Sequence, residues 1–475
     1  MTVNNSIDMV AIARSALESG TGPRYRALAG GIAEAILFGR IGHGQKLLPH
    51  RILSDKIGVT PGTVSKAYAE IERMGLVSSR VGDGTYVRFP GGEPAGGFEN
   101  APSTPDRLDL SRNTHIGGEE VRLLGETLQR LGQDPGLLAR LVEYAPAAGA
   151  PHQRLAGARW LRFSGLDTDS ESVLVSNGAQ HALLCTLMAC LRAGETIATE
   201  HLSYPGLIGA ARYLDLRLAG LDMDEEGLTP QALAEACAQR PIKALYCTPT
   251  LQNPTSGTLS ETRRREIAAL CQRHNLLIVE DDAHGCLAEE HPPALSTFAP
   301  ERAVLISSLT KAVAAGLRVG YLAAPTALVG KIAGALRASC WMASPLAAEI
   351  GAHWVLDGTA ESLRARQRIE TQQRKAMVGP LLDGFQVRSA DGCCHFWIAL
   401  PDPWRASELA LELERQGVLV KAAEAFAVGR QAVPQCLRAS ISSVPSEAAL
   451  IAAFRRLSDV IREGAYPISH WKQHY

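Results

Sequence analysis

No apolar run in these 475 residues is long enough to span a bilayer, so neither a helical membrane span nor a membrane partner is expected. The opening Met1-Thr2-Val3-Asn4-Asn5-Ser6-Ile7-Asp8 lacks the basic start and apolar core of a secretory signal. Excess charge is also missing. The formal net charge is −1, which gives the whole chain no pull toward a polyanion. Ten cysteines are present, at 185, 190, 237, 247, 271, 286, 340, 393, 394 and 436, yet none forms a CxxC pair and no histidine cluster accompanies them. A zinc site is therefore not expected, and no metal is assigned. Most of these cysteines lie in apolar runs and read as reduced core residues of a cytoplasmic protein.

What is present is a soluble, globular composition: 46% hydrophobic and 20% charged residues. The length exceeds one compact core, so at least two domains are expected. Charge divides the chain in the same way. Residues 24–88 hold ten Lys or Arg against five Asp or Glu, a local net of +5. That segment also has its own pattern. Tyr25, Leu28, Ile32, Ala35 and Ile36 recur at helical spacing between Arg24 and Arg40, and Gly42-His43-Gly44 follows as a stop. Leu48-Pro49-His50-Arg51 opens a second helix that runs through Ile57. Gly58-Val59-Thr60 makes a tight turn. Thr60 is placed to cap a third helix, with Pro61 at its first position and Val64, Ala67, Tyr68 and Ile71 on its inner face. Two short strands follow around Gly82-Asp83-Gly84. Helix, turn, helix and hairpin in a basic setting predict a winged DNA reader with its third helix in the major groove.

The motifs Leu48-Pro49-x-Arg51, Gly58-Val59-Thr60-x-Gly62-Thr63-Val64-x-x-Ala67-Tyr68, Gly75-Leu76 and Gly82-x-Gly84-Thr85-Tyr86-Val87 resemble the GntR winged helix-turn-helix. The resemblance covers residues 22–89 and implies DNA contacts by Arg51, Thr63, Lys66, Arg80 and Gly82. Pro61 departs from it, because the family often has an arginine there that contacts a base.

Residues 90–106 contain eight Gly or Pro and read as a flexible linker spanning roughly 20 Å. The expected domains are thus 1–89, a linker at 90–106, and 107–475 with a smaller subdomain from about 360. In the last domain apolar strands alternate with helices: 172–175, 242–247, 276–280 and 303–307 are the clearest strands. This alternation predicts a mostly parallel α/β sheet with its site at the carboxyl ends of the strands.

Those strand ends carry complementary groups. Asn177-Gly178-Ala179-Gln180 opens a helix whose free N–H groups suit a phosphate. Asp281 ends a buried strand, where a carboxylate needs a cation. Lys311 follows another, where desolvation lowers an amine's pKa and favours attack on a carbonyl. Tyr204 offers an aromatic face, Asn253 an amide, Ser308 and Arg318 an anion site, and Arg438 a fork for a carboxylate.

As an ordered set these resemble fold-type I aminotransferases, over about residues 107–462. The matching motifs are Ser176-Asn177-Gly178-Ala179-Gln180, Ser203-Tyr204-Pro205, Asn253-Pro254-Thr255-Ser256-Gly257, Glu280-Asp281-Asp282-Ala283-His284, Ser308-x-x-Lys311 with Gly316-Leu317-Arg318, and Leu437-Arg438. The resemblance implies pyridoxal 5′-phosphate (PLP) bound as a Schiff base on Lys311. Asp281 would keep the ring nitrogen protonated, Asn253 would bond the ring hydroxyl, and Tyr204 would stack on the ring. Ala179, Gln180, Ser308 and Arg318 would hold the phosphate, with Tyr144 of the partner subunit reaching it across a homodimer interface. Arg438 would take an α-carboxylate. His284 stands where the family usually has tyrosine, and an imidazole there titrates near neutrality.

A GntR-like winged helix joined to an aminotransferase-like body resembles the MocR class of transcriptional regulators. The expected fold is a multidomain chain, a winged helix-turn-helix plus a PLP-dependent transferase of fold type I. The expected function is a DNA-binding regulator that senses PLP, or an amino acid or amine effector, through Lys311. The alternative is a working aminotransferase with an amino acid donor and a keto acid acceptor. A third reading is a repressor whose body only dimerises.

Overall fold

The structure, a computed structural model, describes residues 4–19, 22–37, 40–42, 45–80, 84–87, 107–429 and 431–464. The described residues gather into two compact units. One lies within residues 1–102 and 423–434, the other within 103–422 and 435–475. The linker expected at 90–106 falls outside the described residues. Among those described, no helix is long and apolar enough to cross a membrane.

The N-terminal unit contains α1 (Asn4–Ser19), α2 (Arg24–Leu37), α3 (His50–Ile57), α4 (Pro61–Arg73), β1 (Val77–Arg80) and β2 (Gly84–Val87). Its core is built from Leu28, Ile32, Ile36, Val64, Tyr68 and Ile71, which the helical spacing selects, together with Leu53. Gly58 ends α3 in the left-handed region at φ 66°. Thr60 then caps α4, its Oγ1 accepting from the Thr63 N–H at 3.3 Å. β1 and β2 pair antiparallel from Val77↔Val87 to Arg80↔Gly84, which makes the wing.

One element is additional to the expectation. α1 packs on α2 so closely that a Cβ on Gly31 would lie 2.2 Å from the Ala16 Cβ. Met9 and Ala13 are buried in the same core.

The larger unit is organised by a seven-stranded sheet. Its strands are β4 (Val173–Ser176), β5 (Thr196–Glu200), β6 (Arg217–Leu221), β7 (Ala244–Cys247), β8 (Leu277–Asp281), β9 (Ala303–Ser308) and β10 (Gly320–Ala323). The order is β4-β10-β9-β8-β7-β5-β6. β10 runs antiparallel to β4 and β9, and the other pairs are parallel. Both faces are covered, so the strands read as unbroken apolar runs. Along β9, Val304 and Ile306 enter one apolar layer and Leu305 the other. The helices α5 (Glu120–Leu131), α6 (Pro135–Leu141), α7 (Pro151–Leu161), α8 (Ala179–Cys190), α9 (Pro205–Tyr213), α10 (Pro230–Gln239), α11 (Glu261–Arg273), α12 (Thr326–Cys340) and α13 (Pro345–Leu356) belong to this part.

The smaller subdomain follows α14 (Thr359–Val378). An antiparallel sheet β11-β12-β15-β14 combines Gln386–Arg388, His395–Ala399, Cys436–Ser440 and Lys421–Ala422. It packs with α15 (Ala406–Arg415) and α16 (Glu447–Gly464). The start of the unit joins this subdomain too. β3 (Leu108–Asp109) pairs in parallel with β13 (Val418–Leu419), and Leu110 is buried with Leu437 and Phe454. Two paired residues are too few to show a period in sequence.

Candidate cofactor and ligand site

The parallel strands bring their carboxyl ends to one edge, and the polar residues that follow them converge there. Asp281, the last residue of β8, is buried. Its Oδ2 accepts from the Tyr246 hydroxyl at 2.8 Å and its Oδ1 from the Ala283 N–H at 3.1 Å. Burial raises the Asp281 pKa, and these two bonds work against that rise. Tyr246 lies on the neighbouring strand β7 and was not among the expected residues. The signal was a tyrosine inside an apolar strand, whose hydroxyl needs a partner.

Lys311 follows β9. Its Nζ donates to the Asn113 carbonyl at 2.6 Å. Burial depresses its pKa; the charge of Asp281 opposes this, while the charges of Arg438 and Arg318 add to it. Tyr204, at the start of α9, senses Asp281, Arg318 and Arg438 as well, and burial raises its phenol pKa. Asp281, Arg318 and Arg438 thus lie within electrostatic reach of both Lys311 and Tyr204.

A cradle for an anion forms at the start of α8. The first N–H groups of a helix have no acceptor inside it, and the dipole favours negative charge there. Gly178 has φ 86°, and a Cβ on it would stand 2.5 Å from Arg318 Nη2, so the guanidinium lies directly against this turn. Gly320 permits the approach from β10. A Cβ there would meet the Gly178 carbonyl carbon and Ser176 Oγ, both at 2.6 Å. Ser308, at the end of β9, is buried beside Gly320. Gln180 Nε2 donates to the Gly206 carbonyl at 3.1 Å, and its Oε1 is buried without a partner. Gly206 leaves room for the Tyr204 ring, since a Cβ would fall 2.2 Å from both Tyr204 Cε1 and Gln180 Oε1.

Arg438 reaches the same edge from β15. Its Nη1 donates to Asn253 Oδ1 at 2.7 Å and its Nη2 to the Ser111 carbonyl. Burial lowers its pKa to about 10, so it stays cationic at neutral pH.

His284 is buried here, with Nδ1 4.0 Å from Cys394 Sγ. The expectation that it titrates near neutrality is not met. Burial first, then the charges of Lys311 and Arg438, push its pKa well below the ordinary imidazole value. It is neutral at physiological pH.

His395, not among the expected residues, lies edge-on to His284 with ring centroids 6.3 Å apart. It is tied to Pro254 and Asn113.

The chain's own Tyr144 turns most of its surface outward. It is 77% exposed and packs against Trp341, itself 52% exposed. In the N-terminal unit Arg51 and Lys66 are exposed and Thr63 is half-buried. Gly82 lies outside the described residues, and of Arg80 only the strand is described.

Residues 24–87 match the gntR family of bacterial regulatory proteins, and residues 125–457 match aminotransferase class I and II. The HTH-type transcriptional regulator YdeF of Bacillus subtilis, itself uncharacterized, is 30% identical over 90% of this chain and 92% of its own. The HTH-type transcriptional regulator TauR of Rhodobacter capsulatus is 26% identical over 86% of this chain and 90% of its own. An archaeal alanine:glyoxylate aminotransferase of known structure superposes with a TM-score of 0.70, at 22% identity, over 75% of this chain and 91% of its own. That likeness shows the fold. A reader of DNA and an aminotransferase body of fold type I are joined in one polypeptide, and the chain belongs to the family of HTH-type transcriptional regulators with this MocR-like architecture.

Proposed function

We propose that this regulator binds PLP at Lys311 and reads an amino acid or amine effector there, so that the ligand state of the site sets how a homodimer engages its operator. The observation that carries the reading is the convergence of Lys311, Asp281, Arg318 and Arg438 around Tyr204, in a chain that also carries a DNA-binding module.

The residues present fit the cofactor. Asp281 is a buried carboxylate with no cation bonded to it among the described residues, and a protonated ring nitrogen supplies one. The Gly178 turn, Ala179, Gln180, Ser308 and Arg318 would hold the phosphate, and a side chain at Gly178 would run into the Arg318 guanidinium. The backbone N–H groups of Ala179 and Gln180, in the first turn of α8, have no acceptor inside the helix and suit an anion. Asn253 Oδ1 is committed to Arg438, so its amide N–H group is left for the ring hydroxyl. Neutral His284 can donate to the same hydroxyl, which replaces the family's tyrosine without adding charge. When bound, PLP supplies an aldehyde that condenses with amines and a ring that withdraws electrons.

The chain's residues then divide the work. Asp281 holds a proton on the ring nitrogen. Lys311, partly desolvated, provides the amine. Tyr204 covers the ring, and Tyr144 of the partner subunit reaches the phosphate. Arg438 orients an effector through its carboxylate. In the N-terminal domain, Arg51, Thr63, Lys66, Arg80 and Gly82 meet the DNA.

The test has two parts. PLP added to the purified protein produces a visible absorbance band that Lys311→Ala abolishes. Footprinting of the DNA upstream of its own gene, with and without PLP, shows protection that depends on the cofactor. No protection in either state would overturn the regulatory reading.

The intact set of Lys311, Asp281, Asn253 and Arg438 supports a second reading, turnover as an aminotransferase. Many turnovers per site with a defined pair of amino acid and keto acid would favour it.

A further inference from the structure

Both cations that face the ligand are held by one short stretch of backbone. Lys311 Nζ donates to the carbonyl of Asn113 at 2.6 Å, and Arg438 Nη2 donates to the carbonyl of Ser111. Two more bonds fasten the same stretch. Asn113 Nδ2 donates to His395 Nδ1 at 2.9 Å, and the Thr114 N–H donates to Ser442 Oγ at 3.1 Å. Upstream, the Ser440 N–H donates to the Leu110 carbonyl at 2.7 Å. Asp109 Oδ1 closes a turn by accepting from the Ser111 N–H at 2.8 Å. Residues 111–114 are in neither helix nor strand. Bonds from charged donors are about twice as strong as neutral ones.

The geometry points to residues 111–114 as a strap that competes with the ligand: the carbonyls of Ser111 and Asn113 occupy the donors of Arg438 and Lys311 that an effector and its cofactor require. The proposal rests on the PLP reading above and gives its regulation a physical form.

The reasoning is one of donors and acceptors. A carboxylate bound by an arginine fork uses two N–H groups on one side. In Arg438, Nη1 already serves Asn253 and Nη2 serves Ser111. A carboxylate that takes Nη2 brings an oxygen against the Ser111 carbonyl, a second acceptor at the same nitrogen, and so competes with that bond. A group bonded to Lys311 Nζ leaves fewer N–H groups there and so competes with the Asn113 carbonyl. A ligand with a carboxylate and a group for Lys311 competes with both bonds, whereas one without a carboxylate competes with only one.

This competition is the differential affinity that a switch needs. The strap is also the right segment to move. It follows Arg107 in the chain and so continues the stretch that leads back to the DNA-binding domain.

Hydrogen exchange of the full-length protein, followed by mass spectrometry on peptides covering residues 108–116, tests this. The probes are N-(5′-phosphopyridoxyl)-L-alanine and N-(5′-phosphopyridoxyl)ethylamine, which differ only in the carboxylate. Their binding is measured separately by calorimetry. At saturation the alanine probe is expected to speed exchange of the strap amides about tenfold, and the ethylamine probe by clearly less. Arg438→Gln is expected to speed strap exchange without any probe and to abolish the difference between the two. Saturable binding of the alanine probe with unchanged or slower strap exchange overturns the strap while leaving the PLP reading intact. Failure of both probes to bind overturns both.

Discussion

The Pro254 carbonyl decides where His395 carries its proton. His395 Nε2 lies 2.9 Å from that oxygen, which can only accept, so Nε2 bears the hydrogen. Nδ1 is then an acceptor, and it takes the Asn113 Nδ2 donor at 2.9 Å. Burial and the nearby Arg438 charge push the His395 pKa down to about 3. A neutral ring with one tautomer thus sets the amide orientation of Asn113.

His395 is accordingly expected to remain neutral across pH 5 to 8. Nitrogen-15 chemical shifts of the imidazole check this; a midpoint above pH 5 would contradict it. The sign for stability follows. The folded pKa lies below the ordinary value of about 6.5, so the contribution is full above about pH 6.5 and is lost as pH falls toward 3.

Glu200 acts in the opposite sense. It is buried at the end of β5, where Oε1 accepts from the Thr248 N–H at 2.8 Å. Burial raises its pKa to about 7 from 4.5, despite those bonds. The folded protein therefore holds this proton more tightly than the unfolded chain. Its contribution is full below about pH 4.5 and fades as pH rises to about 7, by roughly 3 kcal/mol. Glu200→Gln is expected to remove that slope. Denaturation of both proteins between pH 4.5 and 7 measures the difference, and parallel curves would refute the assignment.

The charged and hydroxylic members of the site were legible because they stand at strand ends in a fixed order. Lys311, Asp281, Asn253, Arg438 and Arg318 each follow an apolar run or a Gly or Pro turn. Tyr246 and His395 were not, because Tyr246 sits inside an apolar strand and His395 opens one, where sequence offers only a core reading. The neutrality of His284 depends on burial and on two cations, Lys311 and Arg438, from other parts of the chain, and no local pattern carries that. β3 escaped for another reason. It owes its place to Leu110 packing among residues more than 250 positions away. α1 is seen only once Gly31 and Ala16 are known to touch.

Tyr246→Phe tests the support of Asp281. The change removes the 2.8 Å donor and leaves a buried carboxylate oxygen unsatisfied. The expected penalty is about 1–3 kcal/mol. The Asp281 pKa also rises further, because that bond had lowered it. PLP affinity is expected to fall about tenfold, read by fluorescence titration, with the loss growing toward acidic pH. An unchanged dissociation constant at pH 6 would show that Asp281 does not depend on Tyr246.

DNA binding is expected to respond to Lys66 and Arg51 as phosphate contacts. Each is exposed, on α4 and α3 respectively. Lys66→Ala and Arg51→Ala should each weaken binding on all sequences and reduce the salt slope by about 1. Fluorescence anisotropy at several salt concentrations checks this. A loss confined to one operator sequence would mean base reading instead.

Two glycines of the anion cradle should fail differently when a methyl is added. At Gly178 the new Cβ meets the end of a flexible arginine, Arg318 Nη2 at 2.5 Å, and φ is 86°. The positive φ costs about 1–2 kcal/mol, and the guanidinium can swing aside. Gly178→Ala is therefore expected to fold with a modestly lower melting temperature while losing most of its phosphate affinity. At Gly320 the Cβ meets the backbone carbon of Gly178 at 2.6 Å, in a strand paired on both sides. Nothing there is free to yield, because β4, β10 and β9 are registered together. Gly320→Ala is expected to cost more stability than Gly178→Ala, by about 1–3 kcal/mol of overpacking. Thermal denaturation without PLP separates the two effects, since neither then reflects cofactor binding. Equal melting temperatures for the two variants would mean that the β4–β10 pair can part without cost, contrary to the packing observed.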